Sequence, residues 1–240
     1  MIGFFKIVLY EPLLNLLVFF YNIIPGHDLG LAIIFLTLIV KLLLFPLSRQ
    51  SIKSQKSLKD LQPKIEEVKK KYAGQKEKQA KAMMNLYKEN KVNPFSSCLP
   101  LLIQFPILIA VYQVFRVGMT SASLPVYSFI HNPGTLNIMA FGILNLAKSN
   151  YVLAIITGIF QYLQMKILTD NQPAKQLVKQ KGAKDENMMT IMNKQMKFMM
   201  PALTVFIGLT LPSGLMLYWL INVLGTIVEQ QIVFKKKTVS

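Results

Sequence analysis

Cysteine occurs once in 240 residues, at Cys98, so no disulfide can form within the chain. Histidine occurs twice, at His27 and His131, in two loop-like stretches and not at the spacing of metal ligands. The HExxH, Walker A and GxGxxG patterns are missing, which removes the usual metalloprotease and nucleotide-binding readings. Ser213 lies in a turn, Leu211-Pro212-Ser213-Gly214, with no histidine or lysine nearby to activate it as a nucleophile. An enzyme is therefore not expected, nor is any catalytic residue, metal, cofactor or small-molecule substrate.

Acidic residues are scarce as well: 11 Asp and Glu stand against 27 Lys and Arg, a formal charge of +16. That excess could signal nucleic acid, but the basic residues lie between apolar blocks on alternate connections, as membrane topology predicts. Apolar residues make up 52% of the chain and the mean hydropathy is +0.40. They gather in blocks that reach or approach the roughly 18 uncharged residues a spanning helix needs. A multi-pass protein of a bacterial inner-type membrane with an uncleaved N-terminus is expected: no lipobox-like cysteine, transit segment or small-x-small cleavage site is seen.

Residues 4–24 are apolar but interrupted by Lys6, Glu11, Pro12 and Asn15. A mid-span acid costs about 2.5–3.5 kcal/mol on the insertion scale, which favours a helix lying in the interface, with a sixth span as the rival. The segment 30–48 is the clearest span. The polar stretch 49–93 follows, with 13 basic against 5 acidic residues between Arg49 and Lys91. Leu58, Leu61, Ile65, Val68 and Tyr72 repeat at 3, 4, 3, 4, and Ala80, Met83, Met84 and Tyr87 offer a second stripe after Gly74. This pattern predicts a helical hairpin. Residues 95–117 and 151–169 are further spans. The loop 118–150 between them carries one basic residue, Lys148, with an apolar piece at 136–147 that is expected to dip into the interface. The loop 170–197 is lysine-rich. The run 198–234 is about 55 Å long as a helix, too long for one crossing, so it divides at Pro212-Ser213-Gly214 into spans 198–212 and 213–234. The tail 235–240 is basic. Every lysine-rich segment then falls on the cytoplasmic side and the lysine-poor loop on the other.

Lys41 is twelfth of nineteen residues in its span, about 10 Å from the cytoplasmic end. It can snorkel without any further role, or face a wet cavity between helices. Thr37, Lys41 and Ser48 share a helical stripe. Gln104, Gln161, Gln164, Asn222 and Gln230 add hydrogen-bonding groups in other spans; each alone reads as interhelical glue, and together they could line one cavity. No carboxylate is expected beside Lys41, since Glu229 falls near the inner end of the last span. Methionines cluster at 188, 189, 192, 196, 199 and 200, as in adaptable apolar surfaces or as plain filling.

The order of motifs resembles the YidC/Oxa/Alb insertases over nearly the whole chain. It runs Tyr10-Glu11-Pro12-Leu13, Ile39-Val40-Lys41-Leu42 with Phe45-Pro46-Leu47, Leu61-Gln62-Pro63-Lys64, Leu86-Tyr87-Lys88 and Lys91-Val92-Asn93-Pro94. It continues through Cys98-Leu99-Pro100-Leu101-Leu102-Ile103-Gln104-Phe105-Pro106-Ile107, Phe198-Met199-Met200-Pro201 and Leu211-Pro212-Ser213-Gly214-Leu215-Met216-Leu217-Tyr218-Trp219. The resemblance implies an all-α integral membrane protein: five transmembrane helices around a hydrophilic groove open to the cytoplasm, plus the interfacial helix and the cytoplasmic hairpin. It implies that nascent membrane proteins are the substrates, in contact with membrane lipid, and that the protein acts alone or beside the Sec translocon, often from ribosomes. It places Lys41, Thr37, Gln104, Gln161 and Trp219 in the substrate groove, to which the hydrogen-bonding groups of the spans add Asn222. The family residue at position 41 is usually arginine, and lysine keeps its charge without the planar fork. A solute channel or transporter is the alternative, which would predict an internal repeat; none is seen.

Overall fold

A computed structural model of the chain describes residues 2–93, 99–121, 124–169 and 186–235. Cys98, the loop lysines 175, 179, 181 and 184, and Lys236-Lys237 of the tail lie outside the described residues. The side chains of Met188, Met189, Met192 and Met196 do so too.

The chain opens with a short helix, α1 (Ile2–Phe5), and α2 (Glu11–Ile23), joined without a break by a π-helical stretch, Lys6–Tyr10. Pro12 explains the π turn. It has no N–H to give Val8, and the ladder shifts so that Glu11 N–H donates to the Lys6 carbonyl. One face of α2 buries Leu13, Leu14, Leu17, Val18 and Tyr21, while Phe4, Ile7, Val8, Phe19 and Ile23 remain exposed.

The third helix, α3 (Leu29–Lys71), starts where Asp28 accepts a hydrogen bond from Leu31 N–H at 2.9 Å, an N-cap. Here the structure differs from the boundary at residue 48. The span and the first arm of the hairpin are one helix of 43 residues, and Pro46 and Pro63 are absorbed within it. Each proline costs one ladder bond, while packing against its neighbours holds the helix on either side. Its buried positions, Leu29, Ala32, Ile33, Leu36, Thr37 and Val40, recur at three and four residues, and Leu42, Leu43 and Leu47 stay exposed as a lipid-facing stripe would. A turn at Gly74, in the left-handed region at φ +77°, reverses the chain into α4 (Lys76–Glu89). Leu61 and Ile65 of the heptad seam are buried. The second stripe is displaced: Ala82, Met83, Leu86 and Tyr87 are half-buried, whereas Ala80 and Met84 are exposed.

Next come α5 (Leu99–Thr120), α6 (Tyr151–Thr169), α7 (Glu186–Gly208) and α8 (Ser213–Lys235). Between α5 and α6 the apolar piece folds back as two short antiparallel strands, β1 (Met139–Ala140) and β2 (Leu144–Asn145). This piece seats on the start of α3. Phe141 N–H donates to Asp28 Oδ2 at 2.5 Å, and Ala140 lies so near Gly30 that a Cβ there would be 2.5 Å away. α2 holds the same loop through Asn15 Oδ1, which accepts from Tyr127 N–H, and through Asn22, which donates to the His131 carbonyl. This end of the bundle is called the loop end below and the other the hairpin end.

Helices α6 and α7 run antiparallel at backbone distance. A Cβ on Gly158 would lie 2.3 Å from Val205, and one on Gly208 2.8 Å from Ala154. Small residues allow such approach where lipid leaves no hydrophobic drive between helices. Among the described residues, five helical stretches are long and apolar enough to cross a membrane: 3–23, 29–71, 102–120, 151–168 and 213–235; the apolar part of α7, Lys197–Gly208, is shorter.

Candidate functional site

Helix α8 carries the polar cluster. At 3.6 residues per turn, positions 218, 219, 222, 225, 226 and 229 fall within an arc of about 120°. Three helices border that arc. From α5, Gln104 Nε2 donates to the Tyr218 hydroxyl at 2.9 Å. On the α6 side, Trp219 Nε1 donates to Gln161 Oε1 at 3.3 Å. From α3, Lys41 Nζ donates to Thr226 Oγ1 at 2.9 Å and to Glu229 Oε2 at 3.0 Å.

The Lys41 contact corrects the expectation of a cation without a carboxylate. Its side chain is 14% exposed and that of Glu229 is 8% exposed. The correction follows from register. α3 and α8 run parallel: Ser48 Oγ donates to Glu229 Oε2 at 2.5 Å, and Ile33 lies 3.6 Å from the Cβ position of Gly214, both pairs 181 residues apart. By that offset Lys41 is level with Asn222. Its partner Glu229 is 188 residues away, seven further along, or about 10 Å nearer the hairpin end. The four-carbon lysine stem closes that gap by running along α8 past Gly225. Judging depth from Cα positions alone therefore separated two residues whose charged ends meet. The available signal was that Glu229 is the one acid in the run 198–235. A lone acid and a lone base in separate apolar runs are costly apart and far less so together.

The remaining site residues divide. Thr37 is buried, and its hydroxyl donates to the Ile33 carbonyl of its own helix at 2.6 Å, so what it offers a neighbour is the acceptor side of that oxygen. Asn222 contributes its backbone carbonyl, which accepts from Thr226 Oγ1 at 2.8 Å. Ser48, on the Lys41 stripe, reaches the same carboxylate. Site residues not singled out from sequence are Tyr218 and Thr226, while Glu229 was expected too far along its span to meet Lys41. Gln164 Oε1 and Gln230 Oε1 are buried with no hydrogen-bond partner among the described residues. Ser213 is tied to the preceding loop: its hydroxyl and its N–H both donate to the Lys148 carbonyl, at 2.6 and 2.8 Å.

At the hairpin end, two lysines of α3 close the helices around the cluster. Lys56 Nζ donates to the Phe234 carbonyl in the last turn of α8, and Lys59 Nζ to the Ile167 carbonyl in the last turn of α6, each at 3.2 Å. Both also lie over the Phe234 ring, 5.2 and 5.6 Å from its centre. Cations suit helix C-termini, where carbonyls lack partners and the dipole is negative.

Fold and site together define a multi-pass helical membrane protein with polar side chains enclosed between its helices. The family described as 60Kd inner membrane protein matches residues 19–239, and the chain belongs to that family. Curated relatives carry the name Membrane protein insertase YidC. The protein of Geobacter metallireducens is 35% identical over 230 residues, 95% of this chain and 37% of its own length. That of Fusobacterium nucleatum is 33% identical over 232 residues, 95% of this chain and 98% of its own length. That of Haemophilus influenzae is 34% identical over 225 residues, 94% and 36%. The chain thus spans little more than a third of the Geobacter and Haemophilus proteins and nearly all of the Fusobacterium one.

Proposed function

We propose that the protein is a membrane protein insertase that works without covalent chemistry. It takes a short polar segment of a nascent membrane protein along the polar face of α8 and releases the adjoining apolar helix into lipid. The observation that carries this reading is the Lys41–Thr226–Glu229 cluster inside the helical bundle of a chain whose relatives bear the insertase name. Charged groups within a membrane are expensive and are kept for function. Lys41, Gln104, Gln161 and Trp219 offer exchangeable hydrogen bonds, and the unspent oxygens of Gln164 and Gln230 suit a passing polar segment. Thr37 spends its hydroxyl proton on its own helix and offers an acceptor, and Asn222 lies on the same polar face of α8.

The same reading puts the hairpin, the segment 170–197 with the start of α7, and the basic tail in the cytoplasm and the 118–150 loop outside, by the distribution of lysine. The helix through residues 4–24 lies along the membrane interface, its exposed Phe4, Ile7 and Val8 turned to lipid. The Sec translocon is a proposed partner. A ribosome would meet the hairpin through phosphate and let go as salt rises.

The test is insertion of single-span reporters in cells depleted of their own insertase. Expression of this protein restores insertion, and failure to restore any reporter overturns the reading. Flux of small solutes through the purified protein in liposomes would favour a channel instead. Orientation is read by labelling single cysteines at positions 78 and 142 from each side of the membrane. Label at 78 from the outside would reverse the topology.

A further inference from the structure

The Lys41 ammonium is engaged within the protein. Two of its three donors go to Thr226 Oγ1 and Glu229 Oε2, and the pair is largely enclosed. Glu229, however, does not depend on Lys41 alone. Ser48, at its own level on α3, donates to the same oxygen at 2.5 Å. Lys41 arrives from seven residues away on a flexible stem. The carboxylate is therefore anchored and the ammonium is the movable member. An acidic group entering between α3 and α8 meets a cation already matched to a carboxylate, and must exchange with it.

We infer that Glu229 is a resident competitor for Lys41, and that it sets the charge preference of the site by holding back acidic segments relative to neutral ones. The inference rests on the insertase reading and names the feature of the substrate to which that site responds. Without Glu229, Lys41 would be an open cation favouring acidic tails. Without Lys41, the unmatched carboxylate would repel them. With neither, discrimination by charge would vanish.

The experiment uses two single-span reporters that differ only in whether the translocated tail carries Asp and Glu or Ser and Gln. Insertion of both is measured with the full-length protein as wild type, E229Q, K41Q and K41Q/E229Q. Relative to wild type, E229Q should raise the acidic-to-neutral ratio about fivefold or more, and K41Q should lower it by a comparable factor. The double variant should lie between them. A ratio that E229Q leaves unchanged overturns the inference, as does a parallel fall of both reporters, which would mark the pair as a structural staple. If E229Q fails to accumulate, E229D, which withdraws the carboxylate by one methylene, must still raise the ratio. Wild type inserting neither reporter would sink the insertase reading as well. Wild type inserting both with a ratio indifferent to position 229 sinks only this inference.

Discussion

The Lys41 stem lies across the backbone of α8 at Gly225: a Cβ there would sit 2.7 Å from Lys41 Cε and 3.6 Å from Cδ. The ion pair depends on that missing side chain, because Lys41 must pass α8 to reach Glu229 on its next turn.

Gly225→Ala should therefore push the Lys41 stem aside and weaken its contact with Glu229, at a cost of about 1 kcal/mol, since the end of a flexible side chain can give way where a packed core cannot. The cost should shrink in a Lys41→Ala background, where the obstructing atoms are gone. Thermal unfolding in detergent of the two single variants and the double gives the coupling. Additive losses would show that Gly225 is not sized for Lys41.

Gly158 and Val205 set the approach of α6 to α7. Gly158→Ala places a methyl 2.3 Å from Val205 Cγ2 and 3.3 Å from the Pro201 carbonyl. It should lower stability by about 1–3 kcal/mol. Val205→Ala should recover part of that loss by clearing the nearer atom. Accumulation in membranes and unfolding temperature both report the rescue.

Ser213→Ala should cost about 1 kcal/mol, one hydrogen bond to a carbonyl that keeps the Ser213 N–H as a donor. Reporter insertion should persist, and a serine-reactive phosphonate should leave the wild-type protein unlabelled. Labelling at Ser213 would contradict its role as a clamp on the 146–148 backbone.

Lys56 and Lys59 tie the first hairpin arm to the ends of α8 and α6. Replacing both with glutamate puts like charge against two helix C-termini. Hydrogen exchange should then rise in the last turns of α6 and α8 while the loop end stays protected. Uniform protection at both ends would show that the arm is held by apolar contacts, such as that of Ile52, alone.

Much of the fold was legible in local pattern. Apolar runs of span length, Pro212-Ser213-Gly214 between α7 and α8, and the heptad seam at Leu61 and Ile65 all act within a few residues. The break placed after Ser48 was not observed. A switch from apolar to polar composition changes what surrounds a helix and not whether it continues, so α3 runs on past Pro46. The β1–β2 pair was not legible either, because its seat is Gly30 and Asp28, more than a hundred residues earlier.

By itself the sequence determined that this is a helical membrane protein and which residue types lie within its spans. Both follow from transfer free energies that each segment carries wherever it sits. Tertiary structure alone decided that Lys41 is matched by Glu229 and that Ser48 anchors the same carboxylate. Those outcomes depend on the parallel register of α3 against α8 and on how far a lysine stem reaches along it, and neither helix encodes that register on its own.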